Sequence, residues 1–194
     1  TPQKAAGLGV EVREFDYTKA AAQAGALQGI DALLLISSND IGQRATQHAL
    51  VIEAAKKSGI KWIVYTSLLR ADTSTLSLAG EHLATEEMLK KSGIPYTILR
   101  NGWYTENHTG SLQGSVAAGA LLGSAGDGKF CSATREDFAE AAAGVLTGNG
   151  HQGKTYELAG DTAYTMTELA AEVSKQSGKQ IPYINLPEAE YAEK

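Results

Sequence analysis

The sequence predicts an α/β fold in which a parallel sheet is flanked by helices. Three observations carry that reading. A glycine-isoleucine step recurs before a short apolar run: Gly29-Ile30 before Asp31 to Ser37, Gly59-Ile60 before Lys61 to Ser67, and Gly93-Ile94 before Pro95 to Arg100. Each glycine follows an alanine- or lysine-rich stretch with helical character, where a residue able to adopt the left-handed conformation ends a helix. Each apolar run is short and nearly continuous, the pattern of strands covered on both faces in a parallel sheet. Strands alternating with helical patterns predict right-handed βαβ units.

In chain order, Gly9 to Phe15 reads as a weak first strand, and Thr18 to Leu27 as a helix capped by Thr18. The strand Ala32 to Ser37 runs into the polar turn Ser38-Asn39-Asp40. Gln43 to Lys57 is helical, with Ala45, His48, Ala49, Ile52 and Ala55 near one face. Lys61 to Ser67 is a strand, Arg70 to Ser77 a polar loop, Gly80 to Lys91 a helix and Tyr96 to Arg100 a strand. Tyr104 to Ala118 is helical or irregular. Leu121 to Cys131, with Gly123, Gly126 and Gly128, reads as a strand-turn-strand hairpin. Thr134 followed by Asp137 is a capping-box-like start for a helix through Leu146, and Thr165 followed by Glu168 starts another through Lys175. Thr155 to Ala159 and Ile181 to Leu186 are strands, and Pro187 opens a last helix. The expected organisation is a core over residues 1–107 and a small α+β subdomain over 108–194, interleaved with that core.

With 194 residues, 43% hydrophobic and 20% charged, the chain is long enough for a sizeable core and too apolar for a disordered chain. The net charge of −5 and the absence of a basic run speak against nucleic acid as a partner. No apolar run approaches the ~20 residues of a membrane-spanning helix, and no signal peptide opens the chain. Cys131 is the only cysteine and has no partner for an internal disulfide, so a cytoplasmic setting is expected. Its neighbours make it a half-buried structural thiol. The four histidines His48, His82, His108 and His151 lack metal-ligand spacing, so no metal is expected.

One expected element is missing. A strand, glycine-rich turn and helix would bring backbone N–H groups to a pyrophosphate, and neither Gly7-Leu8-Gly9 nor Gly123 to Gly128 has that context. Thr1-Pro2 looks like an abrupt helix start, so the chain is expected to begin and end within larger elements.

The runs Leu33-Leu-Leu-Ile-Ser-Ser38, Tyr65-Thr-Ser-Leu-Leu69, Glu81-His-Leu-Ala-Thr-Glu86, Tyr96 to Tyr104 and Ala125-Gly-Asp-Gly-Lys129 together resemble the NmrA-like branch of atypical short-chain dehydrogenases, in its quinone-reductase subgroup. The resemblance spans essentially the whole chain. It implies a Rossmann-like sheet lacking its first βαβ unit, a small C-terminal α+β subdomain, NADPH (NADP) as cofactor, and hydride transfer to a quinone or similar small aromatic acceptor.

Residue by residue, the resemblance implies that Ser38, Asn39, Asp40 and Ile41 contact the cofactor, although ordinary turn chemistry explains the polar ones too. Thr66 and Ser67 end a strand where many relatives keep a catalytic hydroxyl; strand-end hydrogen bonding is the alternative. Asn101, Gly102, Trp103, Tyr104, Thr105 and Glu106 are implied to line the nicotinamide side, Tyr104 also as a catalytic residue. Trp103 and Tyr104 offer flat apolar faces with polar tips, and anchoring the subdomain would use the same rings. Thr134 matches a cofactor contact and equally a helix cap.

The usual Tyr-x-x-x-Lys acid is replaced here by His82-Leu-Ala-Thr-Glu86, with His82 a candidate proton donor and a structural His–Glu pair the alternative. A quinone is a strong hydride acceptor, so positioning can do most of the work without a dedicated acid. The competing reading is an NADP-binding redox sensor without turnover, which the missing Tyr–Lys pair fits as well.

Overall fold

The computed structural model describes Ala5 and residues 7–193. The helix predicted to open at Thr1-Pro2 lies outside the described residues. The chain forms two compact units, residues 1–101 with 141–158 and residues 102–140 with 159–194.

The first unit is built on four parallel strands in the order β1 (Ala32–Leu35), β2 (Trp62–Leu68), β3 (Tyr96–Asn101) and β6 (Thr155–Leu158). Helices α2 (Arg44–Lys57) and α3 (Ala79–Lys91) connect the first three strands in turn, α1 (Ala20–Ala26) precedes β1, and the end of α5 (Arg135–Thr147) belongs to the same unit. Residues of β2 alternate between two cores. Ile63 and Tyr65 pack with Leu35, Val51, Ile52, Ala55 and Leu89, whereas Trp62 and Val64 pack with Leu99, Ala142 and Val145. A strand clothed on both faces has no polar side, which is why its sequence reads as a continuous apolar run.

The predicted glycine stops are present, with Gly29, Gly59 and Gly93 all at positive φ. After α2, Ile60 N–H reaches Ala55 O at 3.0 Å and Gly59 N–H reaches Lys56 O at 3.3 Å, a Schellman closure that satisfies two terminal carbonyls.

Two expectations fail in this unit. Gly9 to Phe15 forms no strand, because none of its backbone joins a ladder. Thr18 does not cap α1: its hydroxyl donates to Asp16 Oδ1 at 2.7 Å, and Lys19 occupies the cap position without a side-chain bond.

The second unit carries α4 (Thr105–Ala118), the start of α5, α6 (Met166–Ser177) and α7 (Glu188–Ala192). It has two small sheets, β4 (Leu121–Gly123) parallel to β8 (Tyr183–Asn185) and β5 (Lys129–Phe130) antiparallel to β7 (Tyr164–Thr165). Leu121, Ala170, Val173 and Ile181 form its core, with Leu112, Val116 and Met166 against them.

The predicted hairpin over Leu121 to Cys131 is therefore absent, since its two strands pair elsewhere. The intervening loop is captured by β8: Ala125 N–H donates to Tyr183 Oη at 2.9 Å and Gly126 N–H to Asn185 Oδ1 at 2.7 Å. Both capping boxes form. Thr165 Oγ1 accepts from Glu168 N–H at 3.1 Å while the Glu168 carboxylate accepts from Thr165 N–H at 2.7 Å, and Thr134 and Asp137 exchange the same pair of bonds.

Gly160 is the tightest point of this unit. A Cβ there would lie 2.1 Å from the Ser132 carbonyl oxygen, and backbone cannot swing aside as a flexible side chain can. Gly160→Ala is expected to lower the unit's stability by roughly 1–3 kcal/mol, read as a fall in urea midpoint; a midpoint equal to that of the parent would refute the close approach.

Candidate functional site

In the first unit the strands β1, β2 and β3 end at one edge, the carboxyl edge where open α/β sheets bind ligands. Beyond β1 the chain turns through Ser38, Asn39 and Asp40, and this turn is tied down from α2. Ser38 N–H donates to His48 Nε2 at 3.0 Å, and the Ser38 hydroxyl donates to the Gln47 side-chain carbonyl. Gln47 Nε2 donates to Asp40 Oδ2 at 2.8 Å, and Arg44 Nε donates to Ser38 O at 2.7 Å. Polar residues 44, 47 and 48 of α2 therefore point into the turn, which explains why the buried face of α2 includes Arg44 and Gln47. The sequence pattern of apolar positions missed both. On either side of the turn, Ile36 and Ile41 are 58% and 69% exposed.

The chemistry of this group suits the adenosine end of a dinucleotide. Two exposed isoleucines offer an apolar surface for a base, whereas the Ser38 hydroxyl is already bonded to Gln47 and to Asp40 N–H, and one Asp40 carboxylate oxygen to Gln47. The nearby guanidinium of Arg44 donates to Ser38 O and to Glu81 at 3.2 Å. Among the described residues no strand–glycine turn–helix element supplies the pyrophosphate contacts.

At the end of β2, Thr66 Oγ1 accepts from Ser37 N–H at 2.8 Å, linking β2 to β1. Ser67 donates its proton to Glu86 Oε1 at 2.6 Å. Glu86 is fully buried and also receives Arg100 through two bonds of 2.9 and 2.8 Å; Arg100 reaches Glu157 at 2.9 Å and Asp72 at 3.1 Å as well. Asn101 ends β3, 5% exposed, and its backbone carbonyl accepts from Leu69 N–H at 2.9 Å.

The His82–Glu86 pair considered from sequence does not form. Glu86 is held by Arg100 and Ser67, and His82 Nδ1 lies 2.7 Å from the Tyr65 hydroxyl. His48 Nδ1 lies 3.0 Å from Thr85 Oγ1. Burial, reinforced by the Arg44 charge, pushes both imidazoles down to about 4. Both are neutral at pH 7. Burial likewise holds Tyr65 well above the usual phenol range, so it keeps its proton.

In the second unit the loop 102–104 runs beside residues 131–133. Thr105 N–H donates to Ala133 O at 2.9 Å, and Ala133 N–H to Trp103 O at 3.2 Å. Trp103, 42% exposed, sits in a cluster of rings with His108, Phe130 and Tyr164, at centroid distances of 5.0–6.3 Å. Below it, the hydroxyls of Thr105, Ser132 and Tyr164 form a chain of 2.9 and 2.7 Å contacts. Tyr104 stacks edge-on against Phe138 and carries the Arg135 guanidinium 5.4 Å above its ring. Glu106 accepts Arg135 N–H at 3.0 Å, capping α5 from outside, and Thr134 caps it from within.

Of the residues singled out from sequence, Ser38, Asn39, Asp40, Ile41, Thr66, Ser67, His82 and Asn101 thus lie in the first unit, and Gly102, Trp103, Tyr104, Thr105, Glu106 and Thr134 in the second. Sequence reasoning missed Tyr65, Arg44 and Arg100, because each reads as core or surface until its partner, 14 to 37 residues away, is known. Among the described residues no cluster of histidine, cysteine or carboxylate side chains fits a metal ion, and no helix is long and apolar enough to cross a membrane.

The chain is 58% identical to quinone oxidoreductase 2 of Escherichia coli over 190 residues, 98% of this chain and 66% of that protein. It therefore spans just under two thirds of that relative's length. The crystal structure of the Escherichia coli NADPH-dependent quinone oxidoreductase complexed with NADPH matches with a TM-score of 0.94, covering 98% of this chain and 68% of that one. Triphenylmethane reductase of Citrobacter sp. complexed with NADP(H) matches with a TM-score of 0.93 at 39% identity, over 98% of this chain and 69% of that one. With the carboxyl-edge turn, the parallel sheet and a match of residues 1–149 to the NAD(P)H-binding family model, the chain belongs to the NAD(P)H-binding family.

Proposed function

We propose that the protein transfers hydride from NADPH to a quinone or a similar aromatic acceptor. The observation that carries this is the 58% identity to a quinone oxidoreductase over 98% of the chain. In the first unit, Ser38, Asn39, Asp40 and Ile41 would hold the adenosine end of the cofactor, with Thr66, Ser67 and Asn101 at the neighbouring strand ends. In the second unit, Gly102, Trp103, Tyr104, Thr105, Glu106 and Thr134 are assigned to the same ligand by the resemblance. NADPH bound there would supply the hydride, and the protein would position it against the acceptor.

The Ser67 hydroxyl donates its hydrogen bond to Glu86, so it serves the ion-pair network and does not donate to a substrate. Exposed Trp103 and the rings around it offer a planar apolar surface for an aromatic acceptor. The small-molecule acceptor is the partner we assign, with neither nucleic acid nor membrane as a ligand, and the single Cys131 supports a cytoplasmic setting.

Quinone-dependent oxidation of NADPH is the test. Tyr104→Ala is expected to reduce kcat/KM for a quinone, by roughly tenfold, and unchanged steady-state kinetics would remove Tyr104 from the site. NADPH binding with no oxidation on adding quinone would instead support a redox sensor that binds without turnover.

A further inference from the structure

Two of the five asparagines stand directly before a glycine, in the pairs Asn101-Gly102 and Asn149-Gly150. In such a pair the glycine's main-chain nitrogen can close on the asparagine side-chain carbon, because no Cβ shields its approach. Closure also needs a nitrogen free of other bonds and a backbone free to turn. The fold treats the two pairs in opposite ways.

Asn101 ends β3 and is paired on both sides, with Leu68 of β2 and with Leu158 of β6. It is 5% exposed, and its carbonyl accepts from Leu69 N–H at 2.9 Å. Closing a ring there would break a ladder in the middle of the sheet.

Asn149 and Gly150 lie in the loop 148–154 between α5 and β6, and both are exposed. Neither makes a hydrogen bond to any described residue. Gly150 has a φ of +75°, with open space where a Cβ would stand. The chain is anchored on either side of the pair. Before it, Gly148 N–H donates to Gly144 O at 2.9 Å. After it, His151 O accepts from Thr97 Oγ1 at 2.8 Å and from Lys154 N–H at 3.2 Å, and Gly153 N–H reaches Tyr96 O at 2.6 Å. Freedom is confined to the two residues that the chemistry needs.

We propose that Asn149-Gly150 is a site of spontaneous covalent modification, at which the folded chain converts asparagine to aspartate and isoaspartate through a cyclic imide. Hydroxide takes the proton of Gly150 N–H, and the nitrogen forms a bond to Asn149 Cγ. The Cγ–Nδ2 bond breaks, and ammonia leaves with a proton from water. Water then opens the imide at one of its two carbonyls. Breaking the bond from Gly150 N to Cγ gives aspartate. Breaking the bond from Gly150 N to the Asn149 main-chain carbonyl carbon gives isoaspartate. Nothing is oxidised or reduced: an amide and water become a carboxylate and ammonia. The new carboxylate stands just past the end of α5, where the last carbonyls disfavour negative charge. Isoaspartate also lengthens the main chain two residues before the carbonyl of His151 that ties the loop to β3. None of this depends on the reductase reading.

Peptide mapping of the aged full chain is the test, because trypsin places the two pairs in different peptides, Glu136 to Lys154 and Asn101 to Lys129. After incubation of the folded chain at pH 8, residue 149 is expected to convert at least about tenfold faster than residue 101, since Asn101 must first leave its ladder. Fragmentation locates the change, and isoaspartyl methyltransferase labels the isoaspartate. In urea the two pairs should convert at rates within about threefold of each other, because the unfolded chain no longer distinguishes them. Incubation at pH 7 should be slower than at pH 8, since the attacking nitrogen must lose its proton. Asn149→Gln should abolish the conversion, because its longer side chain closes a larger ring.

An Asn149 that stays intact in the folded chain while the urea-unfolded chain converts overturns the proposal. Equal conversion of Asn101 and Asn149 in the folded chain does so as well. Conversion of residue 149 to aspartate with no isoaspartate would bypass the imide and overturn it too.

Discussion

Arg100→Leu is expected to lower stability by about 3–5 kcal/mol, because it strands a carboxylate that has no contact with solvent. Glu86 is fully buried, and its charge is matched by the two-point contact with Arg100, itself 8% exposed. Without the guanidinium, Glu86 keeps only the Ser67 hydroxyl and must either protonate or remain charged in a low-dielectric site. The outer partners Glu157 and Asp72, with side chains 42% and 61% exposed, contribute little of this on their own. At roughly 2–4 °C per kcal/mol for a chain of this size, the transition of the first unit should fall by about 10 °C.

The double change Glu86→Met with Arg100→Leu removes both charges and should cost clearly less than the sum of the single changes, since neither group is left unmatched. Thermal unfolding of the four proteins gives the coupling directly. A single Arg100→Leu variant within 2 °C of the parent, or strict additivity in the cycle, would show that the pair does not hold the end of β3.

Acid is expected to destabilise the first unit from about pH 6.5 downward. His48 and His82 are 0% and 5% exposed and are pushed to about 4 in the folded state, against about 6.5 in an unfolded chain. A group whose folded pKa is depressed contributes its full stability above the unfolded value and loses it as the pH falls. Here the loss starts near pH 6.5 and runs to about pH 4. Over that window each histidine accounts for about 3 kcal/mol, and the two together approach the whole stability of an ordinary domain.

Protonating His48 also takes away the acceptor of Ser38 N–H, so the turn after β1 should loosen with it. Carboxylates that hydrogen bonds hold low, such as Asp137 with Thr134 and Glu168 with Thr165, give up their contribution only below their ordinary range, outside this window. Urea midpoints at pH 7, 6, 5 and 4 should fall steadily, and His48→Gln should flatten the slope. Equal midpoints at pH 7 and pH 5 would mean that these imidazoles titrate normally.

Much of the fold was legible because its signals are local. Gly59 and Gly93 end helices through their own backbone geometry, and the apolar runs 62–68 and 96–101 are short enough to be strands and too continuous to be half-exposed. Thr134–Asp137 and Thr165–Glu168 cap helices within four residues of chain. The misreadings have the opposite character. Leu121 to Cys131 contains two strands and a glycine-rich turn, yet each strand chose a partner more than 30 residues away, through Tyr183 and Asn185 in one case and Tyr164 in the other. Gly9 to Phe15 has the residues of a strand, and strand formation needs a neighbour as well.

The sequence by itself determined the fold class, the rhythm of strands and helix stops, the residues gathered at the carboxyl edge and the family, because propensity, capping and periodicity act over a few residues and because 58% identity is a property of the chain alone. Only the tertiary structure decided the partners of the buried polar groups. His82 bonds to Tyr65 and not to Glu86, Ser67 donates a hydrogen bond to Glu86, and Arg44 serves Ser38 O. Spacing on one helix brings His82 and Glu86 to the same face, but a buried charge takes the partner that best offsets its lost hydration. That partner, Arg100, arrives from a different strand.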